Sequence, residues 1–386
     1  MKKKIAVIGS TGSIGKSLLR LIDKKNIEIV LLVANKNYTS LINQATFFNV
    51  KNIIITDYNS YKLAIKFNKN NKIKIHNNFD NIKSIINKKI DYVMSSVSGI
   101  SGLLPTFIMI KFTKKIAIAN KESLICAWPL IKKELVKHKT IFIPVDSEHF
   151  SVWTETENVN PNNINKIYLT ASGGPLLNRK IKTLKNVNYK DILKHPTWNM
   201  GKKISVDSAT MMNKFFEVME AKNIFNLDYD KINILIHPDS YVHAIIEYKN
   251  GISKIILHDT TMAIPIFNTI YSNNEVYPDH KKIDINKLNS LNFQKVSIKK
   301  YPVISFLKNL PKKHSLFETV IVAINDVLVG EYLNKKIRFE DISRLFLKNV
   351  NLKCYKKYKK IRANKIDDII ILNNIINLNI TKSLIQ

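Results

Sequence analysis

The chain has 386 residues, 45% of them hydrophobic, so it is too long for one core and too apolar for wholesale disorder; two or three domains are expected. A formal net charge of +31 points first to nucleic acid, but the lysines are scattered among Asn and Ile, as over residues 68–75, and no zinc-finger spacing, RNA-recognition signature or basic heptad helix accompanies them. Two cysteines, Cys126 and Cys354, give neither a disulfide framework nor a metal spacing; no run reaches the length of a membrane span, and no apolar signal segment precedes the first strand, so a cytoplasmic protein is expected.

In chain order, Ile5-Ala6-Val7-Ile8 reads as a short strand buried on both faces, followed by a helix from about Ser13 to Lys24. Further strands are predicted at Ile29–Val33, Lys51–Thr56, Tyr92–Ser96, Lys115–Ala119 and Thr140–Val145. Strands alternating with helices imply a parallel, doubly wound sheet. Past Asp146 a second sheet is predicted from Ile167–Ala171, Ile232–His237, Ala244–Tyr248 and Ser253–His258, with loops at Gly173-Gly174-Pro175 and His195-Pro196. Residues from about 273 to 300 form no clear element and read as a linker. From Tyr301 the pattern is helical, most clearly over Phe317–Leu333 and Phe339–Val350.

Gly9-Ser10-Thr11-Gly12-Ser13-Ile14-Gly15 lies between the first strand and the first helix. Glycines there let the backbone approach a pyrophosphate, and the helix N-terminus offers it free N–H groups. A lone glycine triplet also makes an ordinary turn; the strand-to-helix context favours a dinucleotide. The second strand ends in Ala34-Asn35-Lys36-Asn37, with no carboxylate for the ribose hydroxyls of NAD. Lys36 suits the 2′-phosphate of NADP, or is one more surface lysine.

Val145-Asp146-Ser147-Glu148-His149 places two acids on one face of an extended segment, and Glu217 is a third acid beyond Ser205–Phe216. Such acids cap helices or pair with lysines; three together also make a hard oxygen site for Mg²⁺ or Mn²⁺, with Co²⁺ a further candidate. Thr170-Ala171-Ser172-Gly173-Gly174-Pro175 can present N–H groups and a hydroxyl to an anion, with Ser208, Asn213 and Lys214 as further donors. His195-Pro196-Thr197-Trp198-Asn199-Met200-Gly201 reads as a lid excluding water, or as core filling.

Together these motifs resemble the 1-deoxy-D-xylulose 5-phosphate reductoisomerase family. The matching stretches are GSTGSIG, ANKES at Ala119–Ser123, VDSEH, LTASGGP, HPTWNMGKKISVDSATMMNK with Glu217 beyond, and IHPDSYVHAII at Ile236–Ile246. The resemblance implies an α/β protein with an N-terminal Rossmann-like NADPH-binding domain over 1–146, a central α/β catalytic and dimerisation domain over 147–272, a linker over 273–300 and a C-terminal helical domain over 301–386. It implies metal ligands at Asp146, Glu148 and Glu217. Substrate contacts carry over to Lys121, Ser147, Ser172, His195, Trp198, Ser208, Asn213 and Lys214, with Ser172, Ser208, Asn213 and Lys214 on the phosphate. Cofactor contacts carry over to Thr11, Gly12, Ser13, Ile14, Asn35, Lys36, Asn37, Asn120, Glu122 and Gly201. The implied activity is NADPH-dependent rearrangement and reduction of a sugar phosphate by a homodimer, without nucleic acid or membrane.

Three positions depart from the family pattern. Asn35 and Phe215 stand where the family has Gly, and residues 258–263 replace a Gly-x-Pro-Asp-Met-Arg run. The bulk of Phe215 beside Lys214 is expected to disturb the phosphate loop. An NADP-dependent semialdehyde dehydrogenase is the enzymatic rival, and it needs a thiolate, for which Cys126 is the candidate. A basic nucleic-acid-binding protein is the non-enzymatic one.

Overall fold

The structure, a computed structural model, describes residues 2–68, 72–157, 159–198, 200–271 and 283–385. It divides into two compact units: Met1–Ser123, Leu130–Asp146 and Met262–Asp279 form the first, and Leu124–Pro129, Ser147–Thr261 and His280–Gln386 the second.

The first unit carries a seven-stranded parallel sheet of order β4-β3-β2-β1-β5-β6-β7. Its strands are β1 (Lys3–Ile8), β2 (Ile27–Ala34), β3 (Asn52–Ile55), β4 (Lys74–His76), β5 (Ile90–Ser95), β6 (Thr113–Ile118) and β7 (Ile141–Pro144). Apolar runs such as Ile5–Ile8, wholly buried, make the central strands, because helices cover both faces of such a sheet. The chain order reverses between β1 and β5, which pair directly; open α/β sheets bind ligands outside the carboxyl ends of the strands at such a reversal. β4 escapes the sequence pattern because it has three partly exposed residues.

The helix predicted to reach Lys24 stops at Leu21, where Ile22 turns extended. Asp23 ends it: its carboxylate accepts from Lys25 N at 2.9 Å and Asn26 Nδ2 at 2.7 Å, a local turn that competes with helix. The helix Ala263–Ile270 returns to this unit, where Thr269 Oγ1 lies 2.7 Å from Tyr92 Oη.

The second unit holds a five-stranded mixed sheet of order β11-β10-β8-β9-β12. Its strands are β8 (Ile164–Ala171), β9 (Ile232–Ile236), β10 (Val242–Tyr248), β11 (Ser253–Leu257) and β12 (Gln294–Lys295). The helices Ser147–Thr156 and Met212–Phe225 bury Val152, Val218 and Ala221 against Ile167, Leu169 and Ala244 of this sheet. Of the expected linker, residues 273–282 lie outside the described residues; the rest carries the short helix Ile285–Asn289 and β12, which pairs with β9. Two ladder pairs are too few to mark a sequence. Helices Phe317–Leu333, Phe339–Val350 and Ile366–Ile385 complete the unit, the first almost entirely buried.

Candidate active site

The glycine loop leaves the carboxyl end of β1 in a conformation that side chains would block. Gly9 has φ +86°, and a Cβ there would lie 2.8 Å from the Ser96 carbonyl carbon and oxygen. At Gly15 a Cβ would meet Gly9 O at 2.4 Å. The helix Ser13–Leu21 starts at Gly12 with no side-chain cap, so its first N–H groups are left for an anion, beside Thr11, Ser13 and Ile14.

Asn35, Lys36 and Asn37 follow β2 and are exposed. Asn35 Nδ2 donates to Thr56 Oγ1 at 2.8 Å, and Asn37 Oδ1 accepts from Ser40 N at 3.2 Å, capping the next helix. An acid does stand near Lys36, supplied by the end of β3: Asp57. Its carboxylate accepts from Ser60 N and Oγ at 2.9 and 2.8 Å, and those bonds, aided by the Lys36 charge, hold it below the usual range. Asn120 and Glu122 are buried. The Asn120 side chain is built into the fold, donating to Gly99 O at 2.8 Å and accepting from Ser123 N at 2.7 Å.

The acids are each neutralised by lysine. In the first unit Lys121 Nζ lies 2.9 Å from Asp146 Oδ2, both largely buried. In the second, Lys214 Nζ lies 2.7 Å from Glu148 Oε1 and also bonds Glu217 Oε2. Glu148 and Glu217 bring carboxylate oxygens within 4.8 Å of each other. Burial works to lower the Lys214 pKa, but the two carboxylates outweigh it and raise it. Asn213 Nδ2 donates to Glu217 Oε1, and Ser147 Oγ donates to Glu148 Oε2 at 2.7 Å. An all-carboxylate set whose charge is now met by an ammonium fits a hard divalent cation.

The anion loop is assembled by close backbone approach. Gly173 and Gly174 have φ +80° and +71°, and a Cβ on Gly174 would lie 2.7 Å from Ser208 O, so only glycine lets the loop seat against the helix Lys202–Ala209. Ser172 Oγ lies 3.0 Å from His195 Nε2 and accepts from Gly174 N at 3.0 Å. His195 Nδ1 accepts from Trp198 N at 3.0 Å and Thr197 N at 3.3 Å. Its proton therefore sits on Nε2 and points at Ser172 Oγ, leaving the serine's own hydrogen for a ligand. Burial lowers the His195 pKa to about 4, so the ring is neutral at pH 7.

Met211 takes the left-handed conformation (φ 63°) between the helices Lys202–Ala209 and Met212–Phe225. Over residues 205–221 every position is buried except Ser208 and Asn213, which flank that turn. Trp198, half-buried, sets its indole edge-on to His243 at 6.1 Å, and His243 stacks on His258 at 3.7 Å. His243 also feels the charges of Glu148 and Lys214.

Family models cover most of the chain. One described as 1-deoxy-D-xylulose 5-phosphate reductoisomerase matches residues 5–128, and two C-terminal domain models of the same enzyme match 142–225 and 257–376. The chain is 55% identical over 383 residues to the 1-deoxy-D-xylulose 5-phosphate reductoisomerase of Pelagibacter ubique, covering 98% of this chain and 99% of that protein. The chain belongs to the 1-deoxy-D-xylulose 5-phosphate reductoisomerase family. The reductoisomerase of Sulfurihydrogenibium sp. is 34% identical, over 97% of this chain and 96% of that one. Among solved structures, the Zymomonas mobilis reductoisomerase in complex with NADPH superposes with a TM-score of 0.88 at 28% identity, over 100% and 99% of the two chains. A DOX-P reductoisomerase with NADPH, fosmidomycin and magnesium gives 0.91 at 27%, over 99% and 98%.

Within this reductoisomerase fold, Thr11 to Ile14, Asn35 to Asn37, Asn120, Lys121, Glu122 and Asp146 belong to the first unit. Ser147, Glu148, Ser172, His195, Trp198, Gly201, Ser208, Asn213, Lys214 and Glu217 belong to the second. Cys126, wholly buried in the helix Lys121–Lys137, offers no accessible thiolate, which weighs against the dehydrogenase rival. Phe215 is not in the anion loop. It is fully buried, its ring 6.1 Å from Phe346, because one helical step turns its side chain about 100° from that of Lys214. Sequence reasoning assigned no role to His243 or Tyr301. The first lies inside the IHPDSYVHAII stretch, and the second donates to Gly173 O at 2.7 Å.

Proposed function

We propose that this chain converts 1-deoxy-D-xylulose 5-phosphate to 2-C-methyl-D-erythritol 4-phosphate in the non-mevalonate isoprenoid pathway, on the residues assembled above. The observation that carries the assignment is the largely buried Glu148–Lys214–Glu217 cluster, two acids held close around one lysine ammonium. Asp146, two residues before Glu148 on the chain, would join Glu148 and Glu217 in holding Mg²⁺ or Mn²⁺. The bound cation supplies stabilisation of negative charge on the keto-sugar oxygens. NADPH, held at the glycine loop with Lys36 toward its 2′-phosphate, supplies the hydride.

The chain's own groups bind, orient and exclude water. Ser172, Ser208, Asn213 and Lys214 take the substrate phosphate. Ser172 donates its hydroxyl hydrogen because its lone pairs already serve Gly174 N and His195 Nε2. The phosphate is remote from the reacting bonds, so its binding energy can draw Trp198 over the site and position the sugar. Trp198 closes over the substrate, with the His243–His258 stack behind it.

The functional unit is read as a cytoplasmic homodimer acting on a small molecule. The exposed edge strand β11, with Ile255 about half exposed, supports a second copy as its cover, and sedimentation velocity would test it. Among the described residues no helix is long and apolar enough to cross a membrane. Coupled NADPH oxidation with 1-deoxy-D-xylulose 5-phosphate tests the reading directly. Turnover that requires Mg²⁺ or Mn²⁺ is expected; absence of turnover in a folded, NADPH-binding preparation refutes it.

A further inference from the structure

The helix Lys202–Ala209 carries Gly201 at its N-cap and Ser208 in its last turn, so both ends face proposed ligand contacts. It is only eight residues long, and a helix of two turns has little rigidity of its own. Something must fix its rotation about its axis, because a small turn would carry Ser208 away from the loop at Gly174.

Asp207, one residue before Ser208, is buried, and its carboxylate is gripped from the C-terminal helical region. Asn325, wholly buried in the helix Phe317–Leu333, donates Nδ2 to Asp207 Oδ1 at 2.8 Å. The amide must face this way round, because a carboxylate only accepts. The Asn325 amide oxygen has no partner among the described residues, so the Asp207 bond alone orients the group. Lys203 Nζ lies 3.0 Å from Asp326 Oδ1 and 3.4 Å from Asp207 Oδ2, a second tie between the same two helices one turn away. The helix bearing Asn325 is packed by Phe317, Val320, Ile321, Ile324 and Leu328, all fully buried, and so is a stiff support.

We infer that Asn325 is a positioning residue for substrate phosphate: through Asp207, with the Lys203–Asp326 pair as a brace, it sets the rotation of the Lys202–Ala209 helix and thereby the aim of Ser208. The C-terminal helical region then takes part in phosphate recognition without touching the substrate. This inference rests on Ser208 being a phosphate contact.

The test is a comparison of Asn325→Asp, Asp207→Asn and the reciprocal exchange of both, made in the full-length protein. Asn325→Asp sets two buried carboxyl groups against each other. It should raise the KM for 1-deoxy-D-xylulose 5-phosphate at least tenfold and leave the KM for NADPH within about twofold, the order of effect expected when one charge-assisted hydrogen bond is misaimed. The exchange returns one amide and one carboxylate to the pair and should recover most of the lost affinity. Asn325→Leu, which adds no charge, guards against a folding failure of the first variant and should show the same KM split. The inference is overturned if these variants lower thermal stability but leave the substrate KM unchanged, or if the exchange recovers stability without recovering KM. Ser208→Ala, measured in parallel, separates the two readings. If it leaves the substrate KM unchanged, the phosphate assignment itself fails; if it raises KM while the Asn325 variants do not, the positioning role alone fails.

Discussion

His195 Nε2 lies 3.0 Å from Ser172 Oγ, while the opposite ring nitrogen accepts the backbone N–H of Trp198 at 3.0 Å. One imidazole thus ties the anion loop to the segment bearing the indole. Phosphate binding and closure of that segment are expected to be one event. Ser172→Ala should weaken a phosphonate-hydroxamate mimic about ten- to a hundredfold, the worth of one charge-assisted hydrogen bond. It should also shrink the Trp198 fluorescence change on saturation. A silent Trp198, with Trp128 or Trp153 carrying the signal, would count against the coupling.

Acid should act on stability through the buried histidines. Burial is the main cause that puts His195 and His314 at about 4 and His243 at about 3, against 6.5 when exposed. The unfolded chain therefore binds more protons than the native one below 6.5. The stability they contribute is complete above pH 6.5 and is lost as pH falls toward 4. Urea midpoints measured from pH 8 to 4 should fall in that window. A flat profile would mean these rings are accessible.

Glu318 has the opposite sign. Burial raises its pKa to about 7, despite hydrogen bonds from Ser315 Oγ at 2.8 Å and Ser315 N at 3.1 Å. The native state holds this proton more tightly than the unfolded state, so stability falls as pH rises from 4.5 through 7 and then levels. Glu318→Gln should raise the urea midpoint at pH 8 and leave it unchanged near pH 4.5. No gain at pH 8 would show that the carboxyl is better solvated than its burial implies.

The Glu217 carboxylate bonds Lys214 and Asn213 and is proposed as a metal ligand. Glu217→Gln should lose most turnover while the far-ultraviolet circular dichroism stays native. Chelator should abolish turnover in the parent, and Mg²⁺ or Mn²⁺ should restore it. Full activity in excess EDTA would remove the metal assignment.

Phe215→Gly separates packing from phosphate binding. The ring fills space against Phe216 and Phe346, so its removal opens a cavity. Losing such a ring costs about 3–5 kcal/mol, and glycine inside a helix roughly another 1 kcal/mol. Denaturant unfolding should show that loss, with the mimic bound as tightly as by the parent at a temperature where both are folded. Tighter binding by the variant would restore the view that the ring crowds Lys214.

The glycine loop was readable because its requirement is largely local: Gly9 takes φ +86°, and a Cβ on Gly15 would strike the backbone of Gly9 and Ser10 just before it. The strands of the parallel sheet were readable because burial on both faces leaves continuous apolar runs. β12 and the end of the first helix were not. Two ladder pairs carry no period, and the stop at Leu21 depends on the hydrogen bonds of Asp23. Asp57 beside Lys36 was missed for a different reason, since it comes from a neighbouring strand end 21 residues on.

By itself the sequence determined which residue types stand at which intervals, and that was enough for the family and the cofactor class. It could not determine where each side chain finds its partner. Only the tertiary structure decided that Phe215 belongs to the helical core, that Lys214 is the countercharge of both Glu148 and Glu217, and that Asn325 reaches Asp207 across 118 positions. The physical reason is that motifs record local backbone needs, whereas pairing of buried polar groups is settled by long-range packing. A carboxylate such as Asp207 can be buried only where some distant element brings it a donor.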